Sequence, residues 1–151
     1  MVERFVSDPL DLAPIVRAGA FSRADLILYG VDHSGASYEG RLYLNDPDAS
    51  AASGRDVESY AGSFHIFGHG GCFGDLGHCD VPNDPRYPFD LRPAHQLTPQ
   101  VKAVIITGAL KSLVAGAPEA QRMTVTVVAV VPGDASSEVL HFDELRLLTY
   151  L

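Results

Sequence analysis

One stretch of this chain, Gly108 to Gly116, carries helical spacing, while a series of others carry the composition and alternation of strands. Parallel strands must be joined by crossovers of about a dozen residues or more, usually helices. A single short helix cannot supply them. The pattern therefore predicts an all-β fold: an antiparallel β-sandwich, Greek-key or jelly-roll-like, with one short helix and a long glycine-rich loop.

Ala24–Val31 (ADLILYGV) and Tyr38–Leu44 (YEGRLYL) are rich in Leu, Ile, Val and Tyr and are separated by turn formers at Asp32, Ser34 and Gly35. In RLYLND, Leu42 and Leu44 alternate with Arg41 and Tyr43, as in a half-buried strand. DPDASAASGRD, broken by Pro47, reads as a loop, and Tyr60–Phe67 as a third strand with Phe64 and Ile66 inward. Val101–Thr107 precedes the predicted helix at Ala109–Ala115, which Gly116 ends. Met123–Val131 begins by alternating, with Thr124 and Thr126 outward, and then becomes apolar on both faces, as a central strand does. Val139–Phe142 and Glu144–Tyr150 supply one or two closing strands. The predicted core holds Leu26, Leu28, Leu42, Leu44, Phe64, Ile66, Ile105, Val125, Val127 and Leu147.

With 151 residues the chain fits one domain, residues 1–151, in which 1–23 read as an N-terminal extension and 68–99 as a long functional loop. A net charge of -8, with arginines scattered thinly, argues against a nucleic-acid partner. No apolar run approaches a membrane span, and MVERFVSDPLDLAP lacks the basic and apolar regions of a secretory signal. The expectation is a cytoplasmic protein, or one exported with a partner, without membrane contact.

Both cysteines and three of the six histidines fall within Ser63–Pro82, SFHIFGHGGCFGDLGHCDVP. Imidazole and thiolate suit zinc and copper. His65, His69, Cys72, His78 and Cys79 are therefore candidate metal ligands, and the glycines among them allow the backbone to fold around one point. His69 with Cys72 and His78 with Cys79 form two pairs that a short loop can close on one ion. Three readings stay open: a copper or zinc site, a Cys72–Cys79 disulfide, or surface loop residues. Adjacent His78 and Cys79 count against full ligation, because neighbours in extended backbone point to opposite faces. His33, in VDHSG, reads as a loop residue, His95 as a distant fourth ligand at best, and His141 as solvent-facing. No nucleophile elbow, phosphate loop or calcium loop is present.

Taken in order, RLYLNDPDA, YAGSFHIFGH, VKAVIITGALKSLV, TVTVVAVVP and HFDELRLLTY resemble the carboxy-terminal domain of plant-type polyphenol oxidases. The resemblance spans roughly Ala24 to Leu151 and rests on motif order, each motif alone being short. It implies a β-sandwich of the kind that packs on type-3 copper domains in tyrosinase-like proteins, covering the dicopper site or helping to load it. The helical histidine sets of the catalytic domain are absent from this sequence, and GHGGCFGDLGHCD has no counterpart in the plant pattern. What the resemblance implies is a metal-binding accessory module for a copper oxidase-like partner, or a self-associating one. The alternatives are a small stand-alone metalloenzyme using the His/Cys loop, and a structural assembly component whose metal staples that loop.

The fold expectation is checked by far-ultraviolet circular dichroism, which should be dominated by strand; a helix-dominated spectrum would exclude the sandwich.

Overall fold

The computed structural model describes residues 4–18, 21–69, 98–133 and 139–151, with side chains at 16–18 left aside. Its elements are β1 (Arg4–Val6), β2 (Leu10–Asp11), α1 (Ala13–Ala18), β3 (Arg23–Val31), β4 (Tyr38–Leu44), β5 (Tyr60–Ile66), β6 (Gln100–Ile105), α2 (Thr107–Gly116), β7 (Arg122–Met123), β8 (Val125–Val130) and β9 (Glu144–Tyr150). A 3-10 turn at Ala51–Ser53 lies between β4 and β5.

Among the described residues every strand pairing is antiparallel. One sheet has four strands in the order β1-β8-β4-β5, the other three in the order β6-β3-β9, and β2 pairs with β7 as a short ribbon. The inner faces meet in one core: Leu26 and Leu28 from β3, Leu42 and Leu44 from β4, Phe64 and Ile66 from β5, Val104 from β6, and Val125 and Val127 from β8. This is the all-β antiparallel sandwich that the alternation predicts.

Period-two alternation sets which residues of each strand face inward. On β6 it places Val104 inward, with Ile106 buried just beyond, and leaves Ile105 59% exposed. The expected core position at Ile105 is thus one residue out of phase, and a one-residue slip reverses the face. Leu147 is only partly buried, packed on the core from edge strand β9. Thr126 also departs from expectation: it faces away from the core yet is 0% exposed. A second cluster covers that face, formed by Tyr43, Ala49 and Val128 with Ala51, Tyr60 and Val130 against them. The Thr126 hydroxyl is satisfied there by donating to the Asp46 carbonyl at 2.8 Å.

Three elements, β1, β2 and α1, lie in the N-terminal stretch 1–23. Strand β1 extends the four-stranded sheet by pairing with β8 through Arg4–Val128, Phe5–Val127 and Val6–Thr126. Helix α1 is a second α-helix beside the single one expected, and Leu12 just before it is fully buried. Val139–Phe142 forms no strand, although Val139 and Leu140 enter the core. Helix α2 packs Leu110, Leu113 and Val114 on the core at the end of the sandwich where β3 begins, with Ile106 N–H donating to Ala24 O at 2.8 Å.

Leu42→Ala should destabilise the protein by about 2–5 kcal/mol, because Leu42 is fully buried between the sheets. Ile105→Ala should stay within about 0.5 kcal/mol, as exposed substitutions generally do. Urea unfolding of both variants checks the phase of β6.

Candidate functional site

At one end of the sandwich, the end of β3, the start of β4, the end of β5 and the start of β6 converge. Val31 pairs with Gln100, and Tyr38 with Ile66. Beyond those pairs the backbone of 67–69 runs beside the turn at 32–37: Gly68 N–H donates to the Ser37 hydroxyl at 3.0 Å, and His69 N–H to His33 O at 2.8 Å. The approach is so close that a Cβ on Gly68 would collide with the backbone of Gly35 and Ala36. Glycine is the residue that permits it.

The turn itself is shaped by Asp32. Its carboxylate accepts from Ser34 N–H at 2.8 Å and from the Ser34 hydroxyl at 3.0 Å, an Asx turn. The Ser34 N–H is the main reason the Asp32 pKa lies below the ordinary carboxylate value; burial opposes it, and the Ser34 hydroxyl, His141 and His33 assist. Gly30, at φ +67°, sits in the irregular end of β3, where its missing side chain makes room for that of Asp143.

These constraints bring His33 and His69 together. His33 is 8% exposed, and its Nδ1 lies 3.2 Å from Nδ1 of half-buried His69, the rings 4.9 Å apart and at 79°. His33 Nε2 lies 2.9 Å from Thr98 O. A carbonyl oxygen only accepts, so this contact assigns the proton to Nε2 and leaves the Nδ1 of neutral His33 as a lone pair facing His69. The residues flanking 70–97 thus both meet at His33: His69 on its carbonyl and ring, Thr98 on the far ring nitrogen.

His65 is placed elsewhere. It is exposed on the outer face of β5, across from Glu39 on β4. Glu39 is held between Arg41 at 3.1 Å and Arg55 at 2.7 Å. Burial raises its pKa, but hydrogen bonds and charge from the two arginines more than offset that and leave it below the ordinary value. Cys72, His78, Cys79 and His95 lie outside the described residues. Among the described residues no group of three or more His, Cys, Asp or Glu side chains is arranged to hold a metal ion. His69 therefore meets His33, a residue that the local sequence marks only as a turn neighbour. No local spacing could reveal the pair, because the two residues are joined by the fold rather than by a motif.

At the opposite end, a groove of about 440 Å³ runs between α2 and the end of β4, lined by Asp46, Glu58, Ser59, Ser112 and Leu113 among others. Asp46 is committed there to structure, its carboxylate accepting from the Ser59 hydroxyl at 2.7 Å and its carbonyl from Thr126. The groove offers no opposed acid and base of evident catalytic geometry. The outer face of β6-β3-β9 carries a different feature. Val101, Ile105, Leu148 and Tyr150 are 59%, 59%, 38% and 47% exposed around a buried Asp25, which Arg23 Nε pairs at 2.8 and 3.0 Å. No helix among the described residues is long and apolar enough to cross a membrane.

No protein-family model matches the chain, and a comparison with curated proteins returns no match.

Gly68→Ala should cost about 1–3 kcal/mol by forcing β5 away from the 33–37 turn. It should also weaken the nuclear Overhauser contacts between the His33 and His69 rings. Unchanged stability with unchanged ring contacts would contradict the close approach described here.

Proposed function

We propose that the chain is a metal-binding accessory module that docks on, covers or supplies copper to a partner resembling a type-3 copper oxidase. The ion is copper or zinc, and its donors come from His65, His69, Cys72, His78 and Cys79. The observation that carries this reading is His69, held just beyond the end of β5 with an imidazole nitrogen facing a second imidazole, at the point where the Cys-containing segment begins. Two thiolates and two imidazoles match the preferences of tetrahedral zinc, and thiolate with imidazole also suits copper. His65 would have to leave its place across from Glu39 to join that set, which makes it the weakest of the five donors.

The accessory role draws on two further features. The sequence resembles a domain that accompanies a dicopper catalyst. The β6-β3-β9 sheet also leaves an apolar outer surface open at Val101, Ile105, Leu148 and Tyr150, as a surface that meets another chain does. Substrate chemistry would belong to the partner.

Elemental analysis of untagged protein should find about one zinc or copper per chain, and a Cys72→Ser, Cys79→Ser double variant should lose it. Affinity should fall below about pH 6, where imidazoles take up protons and the competition for thiolate sharpens. Equal metal in both proteins would remove the cysteines from the donor set. Metal-dependent turnover of a catechol by the isolated chain would overturn the accessory role.

A further inference from the structure

We infer that His33 is a metal ligand through Nδ1, and that His33 and His69 form a preorganised two-imidazole half-site for a borderline divalent ion such as Zn²⁺. This deepens the metal-binding reading above and rests on it. It adds a residue outside the proposed donor set, from a turn far from the cysteines in sequence.

Three features of the pair carry the assignment. The first is separation. Two nitrogens bound to a tetrahedral zinc at about 2.0–2.1 Å lie roughly 3.3 Å from each other. The two Nδ1 atoms stand 3.2 Å apart with no ion required to bring them there. The second is the tautomer. Ligating histidines generally give their other ring N–H to a carbonyl or carboxylate, which fixes the ring and raises the basicity of the coordinating nitrogen. His33 Nε2 has that partner in Thr98 O at 2.9 Å. The third is rigidity. His33 is 8% exposed, its carbonyl accepts from His69 N–H, and the Asp32–Ser34 turn closes the backbone on its other side. Its ring has little rotamer freedom left to lose on binding.

A hydrogen bond from His69 Nδ1–H to His33 Nδ1 satisfies the same pair when no ion is bound. Binding then exchanges the tautomer of His69: its ring proton passes through solvent from Nδ1 to Nε2. A small tilt of its ring aims the freed Nδ1 lone pair at the ion beside that of His33. The His33 proton stays on Nε2, hydrogen-bonded to Thr98 O. Asp32 lies in the same turn, with its carboxylate accepting from the Ser34 N–H and hydroxyl.

The test uses the full chain labelled with ¹⁵N-histidine, with Zn²⁺ as the probe. Long-range proton–nitrogen spectra should show the His33 Nδ1 resonance move on adding one equivalent of zinc while the Nε2-bound proton is retained. His33→Gln keeps an amide able to donate to Thr98 O but lacks the coordinating nitrogen, and should weaken zinc binding by at least about tenfold. An unmoved His33 Nδ1 at saturating zinc overturns the inference, as does a folded His33→Gln that binds zinc like the parent. Should His33→Gln fail to fold, the Nδ1 resonance of the parent decides alone. The Cys72→Ser, Cys79→Ser protein separates this inference from the reading beneath it. If that variant loses zinc while His33→Gln keeps it, the accessory-module donor set stands and His33 falls. If the cysteine variant keeps zinc while His33→Gln loses it, His33 stands and the cysteines fall. No zinc binding by the parent overturns this inference, and no binding of copper either overturns the reading beneath it.

Discussion

Burial of β8 on both faces is the constraint from which the rest of the structure follows. Val125, Val127 and Ala129 enter the core between the sheets, while Thr126 and Val128 are covered on the other side. A strand buried twice needs neighbours on both edges and a cover on its outer face, since its backbone groups must all be paired. Strands β1 and β4 take the edges, and the segment after β4 folds back to supply the cover. There the Tyr43 hydroxyl donates to Gly54 O at 2.6 Å and the Ser59 hydroxyl to Asp46, which turns the chain into β5. The register of β5 on β4 then decides where 67–69 runs, and so where His69 ends up. A site at the rim is thus specified by apolar packing in the centre.

The two rims of the sandwich carry different loads. Helix α2 closes one, where the acidic side chain of Asp46 is spent on holding loops. The other collects connections between the sheets, and there His33 and His69 sit. The outer sheet faces differ as well. The four-stranded sheet places the Glu39–Arg41–Arg55 group beside its edge, whereas the three-stranded sheet exposes aliphatic side chains around one Arg23–Asp25 pair. Such pairs add little net energy at an exposed position. Asp25 is 2% exposed, however, and an uncompensated carboxylate there would be costly.

How far the sequence could be read depends on what each feature requires. Alternation is a local property, so the inward rows at Leu42–Leu44, Phe64–Ile66 and Val125–Val127 were legible, as was helix α2 from the spacing of Leu110, Leu113 and Val114. Ile105 was misplaced because VKAVIIT is apolar on both faces near its end, so period alone leaves the phase open. Helix α1 spans six residues, too short for a period to stand out. Thr126 looks like an outward polar residue until the loop that covers it is in place. The candidate site divides in the same way. The concentration of His and Cys was visible as composition, whereas the pairing of His33 with His69 depends on a glycine whose significance appears only when two backbones meet.

The meeting of His69 and Thr98 at His33 also has an architectural consequence. Closure entropy depends on how far apart the ends of a segment are held and only slowly on its length. His69 and Thr98, which flank 70–97, are both held at His33, one on its carbonyl and one on its ring. The sandwich thus fixes both of these flanking positions at one rim, so closure there is set by a single turn rather than by the strand pairings of either sheet.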